Sequence, residues 1–381
     1  MNSRSEPIKS CPMNIEILPC STENQLRECQ RLRYEIYVEE MDRYKAVADH
    51  KRKLLIEPVD EISRHYLCFA DGALAGTMRH TWGGDQGFSE RQIRQYSLRE
   101  SFPFCQDREM IIGERFMVRP QYRGTRLLFD MFCEYLRFTN EHRIQLIIGD
   151  CEPHLLNLYL GLGFQTYSRT NINSEQTGYL IPLVLVAEDV DYLRRIESPL
   201  VDHIKDFGSD NRIPEGLAER LSSSAVLSQR VTGDLAYWSS IYGALESLPK
   251  YATSIFHGLS EDEIKLLLEK SSLIECRPGD HLIKQGNVTN NLFVVLSGLL
   301  EVKDGSKQLA IVGPGEMLGE MAFLLDAPRT KNVYALSNDV KVLSLSETVL
   351  RGLIDNQPDT AARLLLSIAR ILCVRLTNMP S

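Results

Sequence analysis

The segment of residues 313–335, GPGEMLGEMAFLLDAPRTKNVYA, constrains the fold and function of this chain most strongly. Gly319 has no side chain and lets the backbone approach a ligand closely. The carboxylate of Glu320 accepts hydrogen bonds from hydroxyl groups, and the planar guanidinium of Arg329 fits a phosphate diester. Residues 321–325 predict a short helix whose first N–H groups face an anion. The segment therefore predicts a pocket for a ligand that carries hydroxyl and phosphate groups.

Composition excludes several classes of protein. The chain has 381 residues, which predicts two or three domains, and its net charge of −8 argues against a broad nucleic-acid-binding surface. Nine cysteines without a CxxC pair favour a reducing cytosol. The N-terminus lacks the apolar stretch of a signal peptide, and no apolar run approaches the roughly 20 residues of a membrane span. The eight histidines show no metal-ligand spacing. We expect a cytoplasmic protein without a metal, a nucleic-acid partner or an integral membrane segment.

Three regions follow one another along the chain. Residues 1–195 alternate helix and strand patterns, which predicts an α/β mixed-sheet domain. Within this region, residues 21–41 predict a helix, and HYLCFADGALAGTMRHTW predicts a hairpin that turns at Asp71-Gly72. Residues 196–245 are rich in Ser, Gly and Asp and predict a linker that passes into helix. In residues 246–381, short strands recur between Gly turns and a final amphipathic helix follows. This pattern predicts an all-β roll with flanking helices.

Residues 246–381 resemble cyclic-nucleotide-binding domains, both in CRPGDHLIKQGNVTNNLFVVLSGLLEV and in the segment 313–335. The resemblance implies that Glu320 holds the ribose hydroxyl and Arg329 the cyclic phosphate of cyclic AMP or cyclic GMP. It also implies three further positions around the phosphate and one near the base or phosphate. These are Gly319, Met321, Ala322 and, after the arginine, Thr330.

Two alternatives accompany this resemblance. The final helix is either a lid over the nucleotide base or the seam of a homodimer. The roll itself either binds a nucleotide or is a degenerate member of its fold that has lost the ligand. The retention of both Glu320 and Arg329 favours binding.

The first region contains a second motif, GERFMVRPQYRGTRLLFDMF, in which a strand ends at Val118 and a helix follows a turn at 121–126. Backbone N–H groups at such a turn bind phosphates. With the later helix NLYLGLGF, the motif resembles the GNAT acyltransferase superfamily. The resemblance implies acyl-CoA or an acyl carrier protein as donor, and six donor-binding residues. These are Val118, Arg123, Gly124, Thr125, Arg126 and Asn157.

Arg126 departs from the superfamily pattern, which has Gly or Ala at this position. The departure changes how the phosphates of the carrier are held, or it favours a carrier protein over free coenzyme A.

The order of RLRYEIYVEE, EPVDEISRHYLCF, GTMRHTW and ERFMV is similar to the branch with autoinducer synthases and N-acyl amino acid synthases. This resemblance implies acceptor-binding roles for Arg33, Asp60 and Arg79. Arg33 and Asp60 alternatively form a structural ion pair. The glutamate of the branch aligns with Ile112, but Glu114 lies two residues later, on the same face of the strand.

An amine must lose a proton before it attacks a thioester, and Glu114 is the candidate base. Tyr159 is the candidate that protonates the departing thiolate. Each has a structural alternative, a salt bridge for Glu114 and a core aromatic for Tyr159.

The sequence therefore predicts an N-acyltransferase regulated by a cyclic nucleotide, with an amino acid favoured over a protein lysine as acceptor. The alternative is a catalytically inactive GNAT fold that serves as a nucleotide-sensing protein. We expect the roll and residues 196–245 to dock near the substrate cleft in one functional state.

Overall fold

The computed structural model describes residues 13–168, 170–204, 216–217, 221, 226–227, 255–269 and 271–377. It contains one mixed sheet in the first half of the chain and two antiparallel sheets, which form a roll, in the second half. The predicted order of an α/β domain and an all-β roll is confirmed. Most of the predicted linker, residues 196–245, lies outside the described residues. In the described part of the chain, no helix combines the length and apolar character needed to cross a membrane.

The mixed sheet has the strand order β1-β2-β3-β4-β5-β8-β6, with β7 paired to β8. Among the strands of the described residues, β4 and β5 are the one pair that runs in parallel. The strands are β1 (Ile15–Pro19), β2 (Arg64–Ala70), β3 (Ala73–Trp82), β4 (Met110–Val118), β5 (Leu146–Cys151), β6 (Gln165–Thr166), β7 (Ile172–Ser174) and β8 (Gly178–Val186). The helices are α1 (Glu23–Arg33), α2 (Glu90–Gln95), α3 (Leu98–Ser101), α4 (Leu127–His142), α5 (Leu156–Leu162) and α6 (Val190–Arg195).

Local signals set the ends of these elements. Thr22 caps α1 through a capping box with Gln25. The predicted helix over residues 21–41 is α-helical at first and continues as a π-helix over Tyr34–Glu40. The predicted hairpin of β2 and β3 is confirmed, with Asp71 and Gly72 both at positive φ, as its tight turn requires.

A bulge in β4 opens the centre of the sheet. The paired residues of β4 and β5 run from Met110–Leu146 to Ile112–Ile148. The register of β4 with β3 shifts just beyond Glu114, and Arg115 adopts a left-handed φ of 57°. An extra residue in one strand bends that strand away from its partner. The cleft between β4 and β5 begins at Gly113 and Gly149, which line a cavity there.

The roll consists of a five-stranded sheet, β15-β12-β17-β10-β9, and a four-stranded sheet, β11-β16-β13-β14. Its strands are β9 (Val226–Leu227), β10 (Ser272–Cys276), β11 (His281–Ile283), β12 (Asn291–Ser297), β13 (Leu300–Asp304), β14 (Lys307–Val312), β15 (Met317–Leu318), β16 (Asn332–Ala335) and β17 (Val340–Ser346). The helices are α7 (Glu261–Glu269), α8 (Glu320–Leu325), α9 (Glu347–Asn356) and α10 (Pro358–Thr377).

The roll packs against the start of β8. Tyr179 and Ile181 of β8 share one buried hydrophobic cluster with Cys276 and Ile283 of the roll. The Tyr179 hydroxyl donates to the carbonyl of Glu275 at 3.0 Å. The mixed sheet and the roll therefore share one continuous hydrophobic core.

His80 gives the mixed sheet a pH-dependent stability. It is buried, its ring packs on Tyr66, Tyr135 and Phe138, and neither ring nitrogen has a hydrogen-bond partner among the described residues. Burial, aided by the positive charge of Arg64, lowers the pKa of His80 to about 3. Below pH 6.5 this histidine therefore binds a proton in the unfolded chain but stays neutral in the folded chain. The free energy of unfolding falls as the pH falls.

We predict that His80→Leu removes this part of the pH dependence. Between pH 6.5 and pH 5, wild type should lose about 2 kcal/mol of unfolding free energy that the variant keeps, because each pKa unit corresponds to about 1.4 kcal/mol. Urea titrations at pH 7.5 and pH 5 measure the unfolding free energy of wild type and variant. The difference between the two proteins is compared at the two pH values, so the effects of other titrating groups cancel. If the difference in unfolding free energy between wild type and His80→Leu is the same at both pH values, His80 is not the source of this pH dependence.

Candidate functional site

A small cavity occupies the cleft between β4 and β5. Its lining is mostly apolar and includes Phe116, Phe132 and Phe164. Three polar side chains also line it, Asp150 at the end of β5, Tyr135 on α4 and Tyr159 on α5. The structure therefore brings Tyr159 to the cleft. Glu114 is absent from the lining.

Arg115 holds the bulge that opens this cleft. Its guanidinium stacks over the rings of Tyr37 and Tyr44, at 5.1 Å from each ring centroid. Its Nε donates to Glu57 Oε2 at 2.8 Å, and its Nη2 donates to the other oxygen of the same carboxylate. These contacts compensate the left-handed backbone of a residue that carries a side chain.

The predicted acceptor residues Arg33, Asp60 and Arg79 meet in one buried cluster. Asp60 Oδ1 accepts from Nη1 of Arg33 and from Nη1 of Arg79, both at 2.7 Å. Both arginine side chains have 0% exposure. This is the ion-pair arrangement that the sequence left as an alternative. Because neither arginine reaches solvent, any effect on an acceptor passes through the carboxylates that they hold.

Glu57 and Glu114 complete this buried ion network of three arginines and three carboxylates. Arg79 donates to Glu57 at 2.9 Å and to Glu114 at 3.1 Å. Burial alone would raise the pKa of Glu57, but Arg115, Arg79 and Arg33 hold that pKa well below its usual range. The pKa of Asp60 is likewise lowered, because Arg33 and Arg79 outweigh the effect of burial.

Tyr159 fits both of its sequence interpretations. Its ring packs edge-on against Phe132 and Phe164, with centroid separations of 6.0 and 5.3 Å, as a core aromatic does. Its half-buried side chain also borders the cavity. Burial raises the pKa of Tyr159 well above its usual value, so the hydroxyl keeps its proton and is a hydrogen-bond donor at neutral pH.

The predicted donor-binding residues surround the turn between β4 and α4. Arg123 forms two hydrogen bonds to Glu40, at 2.7 and 3.0 Å, and one to the carbonyl of Val118. Arg126 precedes α4 and pairs with Asp130 through two bonds of 2.8 Å. The other three donor candidates are exposed; they are Gly124, Thr125 and, on α5, Asn157. The side chain of Arg126 is thus directed along the helix, which leaves Gly124 open.

Arg329 forms the centre of a second site, in the roll. It is 4% exposed and donates to the carbonyls of Gly319 at 2.8 Å and Asn291 at 2.6 Å, and to Thr289 Oγ1 at 3.1 Å. In the described part of the chain, no carboxylate oxygen lies within 4.0 Å of its guanidinium. Burial lowers the pKa of Arg329 to about 10, although Glu320 raises it. A buried cation with only neutral partners fits an anionic ligand.

Glu320 connects this site to the last helix. Its carboxylate accepts from Arg375 Nη1 of α10 at 3.0 Å, and Arg375 also donates to the carbonyl of Met317. Arg375 is not among the residues predicted from the sequence, although a cation in the last turn of the final helix is a readable signal. Of the other predicted positions, Ala322 is buried, while Met321 and Thr330 are exposed.

A line of hydrogen bonds connects the end of β5 to Arg329 of the roll. Arg43 forms two hydrogen bonds to Glu152, at 2.7 and 3.0 Å, and Glu152 directly follows β5. Arg43 Nε also donates to Asn287 Oδ1 of the roll at 3.1 Å. The backbone carbonyl of Asn287 accepts from the N–H of Arg329 at 2.8 Å. Glu152, Arg43, Asn287 and Arg329 therefore form one line of contacts from the end of β5 into the roll, and no pattern in the sequence predicts it.

Asp150 is the other residue that the sequence analysis missed. It is half-buried, and Oδ2 accepts from the hydroxyl of Tyr96 at 2.8 Å. The available signal was a carboxylate that ends the apolar strand IQLIIGD directly after a glycine. Among the described residues, no group of three or more His, Cys, Asp or Glu is placed to hold a metal ion.

Two family profiles match the chain. Residues 32–144 match the acetyltransferase (GNAT) domain, and residues 273–357 match the cyclic nucleotide-binding domain. The first match contains the bulge of β4, and the second contains Glu320 and Arg329.

Similar proteins share only part of the chain. A cGMP-dependent protein kinase of Plasmodium berghei is 27% identical over 101 residues, which are 26% of this chain and 12% of the kinase. A CRP-like cAMP-activated global transcriptional regulator of Mycobacterium tuberculosis is 28% identical over 129 residues, 32% of this chain and 56% of the regulator. A solved catabolite activator protein of Thermus thermophilus is 28% identical, covers 32% of this chain and 58% of its own, and has a TM-score of 0.29. The chain thus spans at most about half the length of these relatives.

We predict that Glu57→Gln destabilises the protein by about 3–5 kcal/mol, because it removes a charged partner from the buried arginines Arg79 and Arg115. Glu39→Gln is the matched control, since Glu39 pairs with Lys53 at the surface, where such a pair contributes at most about 1 kcal/mol. Urea unfolding at pH 7.5 measures both variants. Equal losses in the two variants would show that the buried network is not a major source of stability.

Proposed function

Because the chain combines a GNAT-type acetyltransferase domain with a cyclic nucleotide-binding domain, we propose that it is an N-acyltransferase whose activity a cyclic nucleotide controls. The acyl group moves from acyl-CoA to the nitrogen of a small amine, with an amino acid favoured over a protein lysine. We assign residues 1–195 to the transferase, 196–245 to the linker and 246–381 to the sensor. A cytoplasmic location suits the reduced thiols and the donor.

The observation that carries this proposal is the contact chain from Glu152 through Arg43 and Asn287 to Arg329. A ligand shifts an activity only when it binds two arrangements of the protein with different affinity. The backbone N–H of Arg329 is bonded to Asn287. A cyclic phosphate that binds Arg329 neutralises its guanidinium and shifts its position, and Asn287 feels that change through this bond. The signal needs to cross only Arg43 before it reaches the end of β5, which borders the acyl cleft.

The acyl cleft supplies what the transfer requires. The bulge at Arg115 separates β4 from β5, so backbone groups that ordinarily pair across a sheet are free to receive the donor's thioester arm. The exposed turn at Gly124 and the neighbouring Arg123 suit the phosphates of the donor. Tyr159 donates a hydrogen bond to the sulfur as the carbon–sulfur bond breaks.

The sensor site supplies a cation for the cyclic phosphate and a carboxylate for the ribose. In the structure Glu320 is bound to Arg375, so a ribose hydroxyl must share or displace that contact. We propose that α10 is a lid whose last turn responds to the nucleotide through Arg375.

The experiment that tests the proposed function is a transfer assay on the full chain. Acetyl-CoA, longer acyl-CoA and acyl carrier protein serve as donors, and amino acids and lysine peptides serve as acceptors, each with and without cyclic AMP or cyclic GMP. Mass spectrometry detects the amide, and a thiol reagent detects the released donor thiol. No product under any condition, with nucleotide binding intact, would favour the inactive nucleotide-sensing protein instead. A carrier-protein preference would show that Arg126 redirects the donor site.

We predict that Arg329→Ala weakens binding of the cyclic nucleotide by about 2–4 kcal/mol, because the variant loses a charge-assisted contact to the phosphate. Lys331→Ala is the matched control, since Lys331 lies two residues away but pairs with Asp304 at the surface. Calorimetry with cyclic AMP and cyclic GMP measures both. Wild-type protein that releases no heat with either nucleotide at millimolar concentration would refute the sensor.

We predict that Asn287→Ala uncouples the two sites while each keeps its own ligand. Couplings between two binding sites are typically about 1–3 kcal/mol, or 5–150-fold in affinity. The coupling is reciprocal: a bound acyl-donor analogue changes the affinity for the nucleotide by the same factor by which the bound nucleotide changes the affinity for the analogue. Both factors should fall toward one in Asn287→Ala. Asn290→Ala is the control, because its side chain bonds only to Asp326 and Glu347 of the roll in the described contacts. An unchanged factor in Asn287→Ala would exclude this route.

A further inference from the structure

Asp150 is a carboxylate of the cleft to which the sequence assigned no role. It lines the cavity at the point where β4 and β5 separate, and Tyr159 lines the same cavity. It lies two residues after Ile148, and Glu114 lies two residues after the paired Ile112, so both carboxylates are on one face of the sheet. Resting on the proposed acyl transfer, we propose that Asp150, rather than Glu114, is the general base that deprotonates the acceptor amine.

The contacts of the two carboxylates separate their roles. Glu114 accepts from the buried guanidinium of Arg79 at 3.1 Å and from the amide of Gln92 at 3.3 Å. A proton on Glu114 would leave a charge in the buried ion network without its partner, which is costly. In the described part of the chain, no cation lies within 4.0 Å of the Asp150 carboxylate. Asp150 is therefore free to exchange a proton without breaking an ion pair.

The surroundings of Asp150 favour this role. Burial raises the pKa of Asp150 to about 6, against the hydrogen bond from Tyr96, which lowers it. Titratable and charged groups face Asp150 from each element packed around it. They are Tyr96 after α2, Glu114 and Arg115 on β4, Tyr135 on α4 across the cavity, Cys151 and Glu152 next along its own chain, Tyr159 on α5 and Tyr167 after β6. A base of this pKa is ionised at neutral pH and lies within about two units of an α-amino group.

The chemical step balances without any further reactant. Asp150 takes one proton from the acceptor ammonium, and the neutral nitrogen bonds to the thioester carbonyl carbon. The carbon–sulfur bond breaks, and its electron pair leaves on sulfur. The thiolate takes the second proton from the nitrogen, which yields the amide and the free thiol. Asp150 then returns its proton to solvent.

The test is the pH profile of kcat/KM for acyl transfer between pH 5 and pH 9. Wild type should lose half its activity near pH 6 as Asp150 becomes protonated. Asp150→Asn should lower kcat/KM by about 10²–10⁴ and remove this acidic limb. Tyr96→Phe should move the limb upward by about one pH unit, because the ionised carboxylate loses a hydrogen bond. Glu114→Gln should keep the limb and move it to lower pH, because a neighbouring negative charge is removed.

Two controls keep the outcomes distinct. Asp191→Asn, on the exposed surface of α6, should retain the wild-type rate and profile. Cyclic-nucleotide affinity and circular dichroism show whether Asp150→Asn is folded, and Asp150→Glu should recover part of the rate. An active wild type whose limb survives in Asp150→Asn, or disappears in Glu114→Gln, overturns the assignment of the base alone. A wild type that transfers no acyl group to any amine overturns the proposed function, and this assignment with it.

Discussion

The left-handed backbone of Arg115 is the constraint on which the transferase half depends. An arginine adopts this conformation only where its surroundings compensate the strain, and here Glu57, Tyr37 and Tyr44 do so. The resulting bulge separates β4 from β5 and creates the cleft. One of these residues also lies close to the second half of the chain. Tyr44 directly follows Arg43, and Arg43 contacts the roll. A side chain that supports the distortion therefore lies one residue along the chain from a contact with the roll.

Two groups of charges lie in or near the sites. Those of the buried ion network are neutralised by one another, and they fix Asp60, Arg79 and their partners in place. Asp150 and Arg329 are different, because each lies in a site and has only neutral hydrogen-bond partners among its direct contacts. A buried or half-buried charge without a counter-ion is costly and persists where a ligand or a proton completes it. The structure thus separates charges that are paired within the protein from charges that lie in a site without a counter-ion.

The contact between the halves has the character of a folded core. Gly178 approaches the roll so closely that an added Cβ would lie 3.1 Å from the carbonyl oxygen of His281. Polar contacts from Arg43 and Tyr179 surround the shared apolar cluster. Such packing favours discrete arrangements over continuous deformation, which is the property that a nucleotide-driven switch requires.

The sequence by itself determined the two fold types and the hairpin at Asp71–Gly72. It also indicated Glu320 and Arg329 as candidate ligand-binding residues. These depend on periodicity, turn residues and spacing within short segments, which the order of residues carries directly. Only the tertiary structure decided that Glu114 is committed to Arg79, that Asp150 faces the cleft, and that Arg43 reaches Asn287 244 residues away. These contacts depend on where a bulge falls and how two sheets pack. Neither leaves a periodic pattern, because each depends on residues that are distant in the chain.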